Sequence, residues 1–257
     1  MCLILFALGV REDYPFIVLA NRDEFYNRPT LSARLWPGIP GVVAGRDLLA
    51  GGTWLGLTRQ GVFAAVTNYS EPPTYPPSSI SRGRLVLDYL ERSQKSTARS
   101  ELTSKQLSQY SGFNLVHGHI GKLWWQSNRS AQTCELAVGI TGLSNHLLDT
   151  PWHKLTLGKT LLHETLLGQF STEDLLLILA NTDKPKTGPP EKTGSETRFD
   201  VSSSPIFVNS GAYGTRSSTV ILVSKKKQVT FIERAYDQNR LVLADTHLEF
   251  VLDNTVS

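Results

Sequence analysis

A chain of 257 residues with 40% hydrophobic and 19% charged residues can bury a substantial core, and a net charge of +3 is too mild to mark a nucleic-acid binder. Two cysteines, Cys2 and Cys134, exclude a disulfide framework and favour a reducing compartment, so the expected location is the cytoplasm. No stretch approaches the roughly 20 consecutive apolar residues of a spanning helix, so no transmembrane segment is expected.

The apolar run 2–10 lacks a basic leader and a small-residue cleavage site, and Arg11-Glu12-Asp13 cuts it short. It reads as a buried strand rather than a signal peptide. Residues 2–9 and 16–20 form two strands joined by a polar turn. The segment 26–40, with Pro29, Pro37 and Pro40, reads as loop. Strands are expected over 53–58 and 62–68, joined at Arg59-Gln60-Gly61. Pro72, Pro73, Pro76 and Pro77 mark an exposed loop. A helix spans about 82–93 and a second lies near 104–110. Further strands fall at 113–117, 122–126 and 135–140. Pro151-Trp152 opens a helix running to about Gly168, and another begins over 172–179. The Pro/Gly/Lys/Ser-rich segment around 182–204 is expected to be a mobile loop. Strands at 219–223 and 229–233, with a Lys225-Lys226-Lys227 turn between them, precede a short tail. Hairpin clusters flanking a helical block define an α+β chain with mainly antiparallel sheets, read as a single domain over 1–257. There is no internal repeat, Rossmann fingerprint or P-loop.

Asn21-Arg22-Asp23-Glu24 ends the apolar run 16–20. Polar groups delivered to the end of a buried strand need partners. Arg22 and Asp23 are expected to bond each other bidentately. Asp23 can orient an α-amine, Arg22 can neutralise a thiolate or a bound anion, and Glu24 can brace the loop. The plain alternative is a structural ion-pair network. Removal of Met1 ahead of so small a residue would leave Cys2 with a thiol and a free α-amine on one residue, the amine serving as the base of its own nucleophile. A neighbouring guanidinium favours the thiolate. Asn68 and Asn145 are candidate oxyanion donors, against the commoner reading as turn asparagines. Arg216 can bind a carboxylate or brace Asp23. The six histidines have no metal-ligand spacing, and His117-Gly118-His119 is only a weak pair, so no metal site is expected. Trp54, Trp124, Trp125 and Trp152 read as core or cleft walls.

Taken together, Met1-Cys2, Ala20-Asn21-Arg22-Asp23-Glu24-Phe25-Tyr26 with Arg28-Pro29, Gly51-Gly52-Thr53-Trp54-Leu55-Gly56, Thr67-Asn68-Tyr69, Gly112-Phe113-Asn114-Leu115, Gly142-Leu143-Ser144-Asn145, Asp149-Thr150-Pro151-Trp152-His153-Lys154 and Tyr213-Gly214-Thr215-Arg216 resemble the NRDE, or transport and Golgi organisation protein 2, family. That family in turn resembles the N-terminal-nucleophile hydrolases, above all the bile-salt and penicillin V amidase branch. The resemblance implies a four-layer αββα sandwich. It casts Cys2 as the nucleophile, Asp23 as the aspartate beside it, Asn68 and Asn145 as oxyanion-side asparagines and Arg216 as the late arginine. Arg22 matches the amidase arginine less cleanly. Asn21, Arg22, Glu24 and Arg28 are expected to bind ligand or brace the site. The family's association with haem trafficking and with acyl-coenzyme A metabolism implies a carrier of a small amphipathic ligand, with haem as transported ligand and no covalent cofactor. The alternatives are an N-terminal-cysteine amidohydrolase and an acyl-coenzyme A binder, with Arg22, Arg28 and Arg82 or Arg84 meeting phosphates. The delivery partner is left open.

Overall fold

The computed structural model describes residues 2–71, 80–93, 104–185 and 203–253. The proline loop at 72–77 and most of the 182–204 segment lie outside these residues. In chain order the first elements are β1 (Cys2–Leu8), β2 (Phe16–Phe25), β3 (Thr30–Leu35), β4 (Val42–Asp47), β5 (Leu55–Thr58) and β6 (Val62–Asn68). The middle block holds α1 (Gly83–Ser93), α2 (Ser104–Leu107), β7 (Phe113–His119), β8 (Lys122–Ser127), β9 (Thr133–Glu135), β10 (Gly139–Leu143), α3 (His153–Leu167) and α4 (Thr172–Leu179). The chain closes with β11 (Asn209–Ser210), β12 (Tyr213–Val223), β13 (Gln228–Tyr236) and β14 (Val242–Val251).

β1 and the first half of β2 (16–20) are apolar at every position because both of their faces are buried. Even-numbered Ile4, Phe6, Phe16 and Val18 face a second sheet. Odd-numbered Leu3, Leu5, Ile17 and Leu19 face helices. The period of two separates the two sets. The first sheet runs β10-β1-β2-β12-β13-β14, with β11 paired to β12; the second runs β3-β4-β5-β6-β7-β8-β9, and all pairings are antiparallel. The inner core joins Phe6 and Phe16 to Leu57, Phe63 and Trp125 across the sheets. α3 and α4 cover the outer face of the first sheet through Leu155, Leu162, Leu175 and Leu179. α1 covers the second sheet through Val86 and Leu90 against Val62 and Ala64. The layers are therefore α, β, β, α. No helix among the described residues is long and apolar enough to cross a membrane.

Three expectations are corrected. The segment read as loop at 26–40 contains β3, and β4 follows it. β3 carries few buried residues and sits at a sheet edge, so its own pattern is weak; β4 supplies the ladder, with a register shift between Leu31 and Arg34. The tail after residue 233 contains the ten-residue β14, an edge strand whose exposed residues hide the pattern and whose register is imposed by β13. The strand placed at 135–140 is two strands, β9 and β10, which belong to different sheets.

Candidate functional site

The β1–β2 register sets Cys2 opposite Arg22, at the end of the first sheet. Consecutive strand residues point to opposite faces, and this divides the Asn21-Arg22-Asp23-Glu24 tetrad. Asn21 turns to the helical layer. Its Nδ2 donates to the carbonyls of Leu179 and Ile206 at 2.8 and 2.9 Å, and its Oδ1 accepts from Ser218 Oγ at 2.6 Å. Arg22 turns towards the second sheet. It donates to Asp47 Oδ2 at 3.1 Å and Thr30 Oγ1 at 3.2 Å, with its guanidinium 4.3 Å from the Trp54 ring centroid. Asp23 is buried and accepts from Thr215 Oγ1 at 2.7 Å. The expected bidentate Arg22–Asp23 pair does not form, because neighbours on an extended strand diverge. Burial raises the Asp23 pKa, against the pull of nearby positive charges that include Lys154 and Arg22.

Glu24 accepts from the Phe25 N–H and lies 3.6 Å from Arg28 Nε. Arg28 Nε donates to Asp47 Oδ2 at 2.6 Å, so Asp47 joins two arginines. Burial works to raise the Asp47 pKa, but Arg28, the Ala50 N–H and Arg22 outweigh it, and the carboxyl ends below its ordinary value. Asp47 Oδ1 also accepts from the Leu49 and Ala50 N–H groups, which fixes the turn ahead of Gly51-Gly52.

Cys2 and Asn145 meet directly. The Cys2 N–H donates to Asn145 Oδ1 at 3.3 Å, and Asn145 Nδ2 donates to the Asn68 carbonyl at 2.9 Å. Ser144 Oγ donates to the Cys2 carbonyl at 2.9 Å. Asn145 thus ties the start of β1 to the end of β6 across the two sheets. Asn68 lines the cleft beside Cys2. Arg216 does not line it. The register shift between Thr215 and Ser217 makes Arg216 the extra residue of a bulge, which re-aims its side chain. Its Nη1 donates to the carbonyls of Phe25 and Arg28 at 2.8 and 3.0 Å, bracing the turn that carries Arg28 rather than Asp23.

The cleft has a volume of about 720 Å³ and opens at the ends of both sheets. Cys2, Asn68 and Trp54 line it with four guanidinium groups, from Arg22, Arg28, Arg82 and Arg84. Arg82 is half-buried, and its Nη1 donates to the Gly112 carbonyl at 2.9 Å. Burial lowers its pKa, opposed by Cys2, Glu71 and Glu24. No group of three metal-ligating side chains occurs among the described residues. His117 is buried, with Nε2 3.2 Å from Gln126 Oε1, while His119 is exposed. Sequence reasoning missed Asp47 and Thr215 as site residues. Asp47 carries a usable signal, an aspartate heading a Gly-Gly turn.

The layers form a four-layer αββα sandwich whose first strand brings a cysteine to the end of the space between the sheets. The chain belongs to the Transport and Golgi organisation 2 family, whose family model matches residues 1–238. It is 36% identical to the Transport and Golgi organization protein 2 homolog of Bos taurus, over 91% of this chain and 93% of that protein. It is 34% identical to the Homo sapiens homolog over the same shares. Identity to Transport and Golgi organization protein 2 of Drosophila melanogaster is 30%, over 91% of each. Among solved structures, a mutant of the conjugated bile acid hydrolase from Clostridium perfringens overlays with a TM-score of 0.49 and 10% identity, over all of both chains. The penicillin V acylase from Agrobacterium tumefaciens overlays with a TM-score of 0.45 and 12% identity, over 93% of this chain and 87% of that one.

Proposed function

We propose that this protein binds and carries a small amphipathic anion in the cleft between its sheets, with haem and acyl-coenzyme A as the two candidate ligands. The observation that carries the reading is Arg82: a half-buried guanidinium on the cleft wall with no carboxylate in ion-pair contact among the described residues. Arg28 and Arg84 stand beside it, and Trp54, Val66 and Ile80 offer apolar wall. Such a wall suits a ligand with an anionic head and an apolar body. Both cysteines are free, which fits action in a reducing compartment such as the cytoplasm.

The test titrates the full chain with haem, followed by the Soret band, and separately with palmitoyl-coenzyme A, followed by calorimetry. Saturable binding of one ligand that weakens at least about tenfold in R82Q, roughly 1.4 kcal/mol, is the expected result. Binding should also weaken as salt is raised. No saturable binding of either ligand, or affinity indifferent to R82Q, overturns the proposal.

A second reading is favoured by the Cys2 thiol standing beside Asn68 on the cleft wall. In an amidohydrolase the thiolate would attack an amide carbonyl, the C–N bond would break with the amine leaving protonated, and water would release the acid from the thioester. Turnover of an acyl amide by the parent and not by Cys2→Ala would select this reading over the carrier.

A further inference from the structure

Two exposed leucines stand at the mouth of the cleft, on a turn whose backbone N–H groups are all taken. Leu48 and Leu49 follow β4 and are 46% and 69% exposed. The Leu48 N–H donates to the Pro29 carbonyl at 3.0 Å. The Leu49 and Ala50 N–H groups donate to Asp47 Oδ1 at 3.0 and 2.9 Å, and the Gly51 N–H donates to the Asp47 carbonyl at 2.8 Å. Four consecutive donors are thus satisfied within the protein. An apolar tip that enters lipid needs this, because hydrocarbon offers an unpaired N–H no partner.

The neighbours of the turn are of two kinds, apolar and cationic. Leu49 and Ile80 line the cleft, and Ile80 is exposed as well. Pro29 ties the leucine turn to the Phe25–Arg28 turn, where Phe25 is exposed. Single exposed apolar residues are ordinary, whereas four on one rim mark an interaction surface. Four arginines line the cleft against three acids, of which Asp23 is buried, and Arg216 adds a guanidinium on the Phe25 side. An apolar rim set among arginines complements an anionic bilayer, whose acyl chains lie beneath negative headgroups.

The other exposed apolar residues lack this combination. Leu241, Val242 and Leu243 belong to or adjoin β14, which pairs on one side only among the described residues, and lipid cannot satisfy an open strand edge. Val138, 81% exposed, stands at the far end of the first sheet: its neighbour Gly139 pairs with Leu8, while Cys2 marks the cleft end of β1.

We propose that the cleft mouth docks on an anionic phospholipid bilayer, with Leu48 and Leu49 entering the acyl boundary and the rim arginines meeting headgroups. Docked this way, the cleft opens onto the membrane. Use of that contact to load an amphipathic ligand rests on the carrier reading; the docking itself does not.

The test mixes the full chain, without haem or acyl-coenzyme A, with phosphatidylcholine vesicles that contain or lack phosphatidylserine, and separates bound from free protein by flotation. Saturable binding that requires phosphatidylserine and weakens with salt is expected. L48S/L49S should bind about tenfold more weakly, and V138S within about twofold of the parent. Serine keeps the backbone donors and adds no charge, so the loss reads apolar insertion. Absence of binding, the result for a rim that meets another protein or a second copy, overturns the proposal. So does binding indifferent to phosphatidylserine, equal binding by folded L48S/L49S, or an equal loss in V138S. Should L48S/L49S not fold, L49S alone is read by the same criteria. Haem and palmitoyl-coenzyme A titrations contain no vesicles, so failure of docking and failure of the carrier reading are told apart.

Discussion

At the scale of single residues, burial and partner decide what each charge does. Glu233 shows this most directly. It is 2% exposed between the sheets, and its Oε1 accepts from the Ala33 N–H at 2.8 Å. Burial pushes its pKa from 4.5 up to about 7, against the opposing pull of the Ala33 N–H and Arg22. Between those two values the folded chain holds a proton that the unfolded chain has already lost. Stability should therefore fall as pH rises from about 4.5 to about 7 and then level off. E233Q keeps an acceptor for Ala33 and should flatten that slope, gaining up to a few kcal/mol at pH 8 relative to pH 5, at about 1.4 kcal/mol per unit. Urea denaturation at the two pH values checks it, and parallel slopes in both proteins would contradict it. The tetrad follows the same logic. Its concentration of charge was legible in the sequence, but its partners were not. Arg22 finds Asp47 25 residues on, and Asp23 finds Thr215 192 residues on.

At the scale of elements, strand ends and backbone approaches build the cleft. Gly52 and Gly83 bring the lead-in to β5 against the start of α1; a Cβ on Gly52 would sit 2.5 Å from the Gly83 carbonyl carbon. That contact involves backbone, which cannot swing away. G52A should cost about 1–3 kcal/mol through overpacking, read as a lower denaturation midpoint. It should also weaken ligand binding, because Arg82 precedes α1 on the displaced side. A loss confined to stability, with affinity intact, would show that the Gly52–Gly83 contact does not position Arg82. Periodicity made β1, β2 and β6 readable, as strongly apolar strands. Pro151-Trp152 marked the start of α3, and the Ser171–Asp174 capping box defines the start of α4. Periodicity left β3 and β14 unread, since an edge strand takes its conformation from the neighbour it pairs with. The bulge at Arg216 was equally hidden, because a register shift is a property of two strands and not of one.

At the scale of the whole molecule, the cleft lies where two antiparallel sheets end together, so a ligand bound there contacts both. Binding that favours the folded state stabilises it by mass action, about 2.7 kcal/mol at a hundred times Kd. The bound ligand should raise the melting temperature of the parent and raise it less in R82Q at the same concentration; equal shifts would place the ligand elsewhere. The sequence by itself determined an α+β chain of mainly antiparallel strands; its resemblance to a known family implied the αββα layering and cast Cys2, Asp23, Asn68 and Asn145 as site residues. Only the tertiary structure decided which of them face the cleft. Strand alternation sent Arg22 and Asp23 apart, and the bulge turned Arg216 to the Phe25–Arg28 turn. The physical reason is that local pattern encodes which face of an element is buried, whereas charge pairing depends on distances between elements far apart in the chain, and those exist only once the layers have packed.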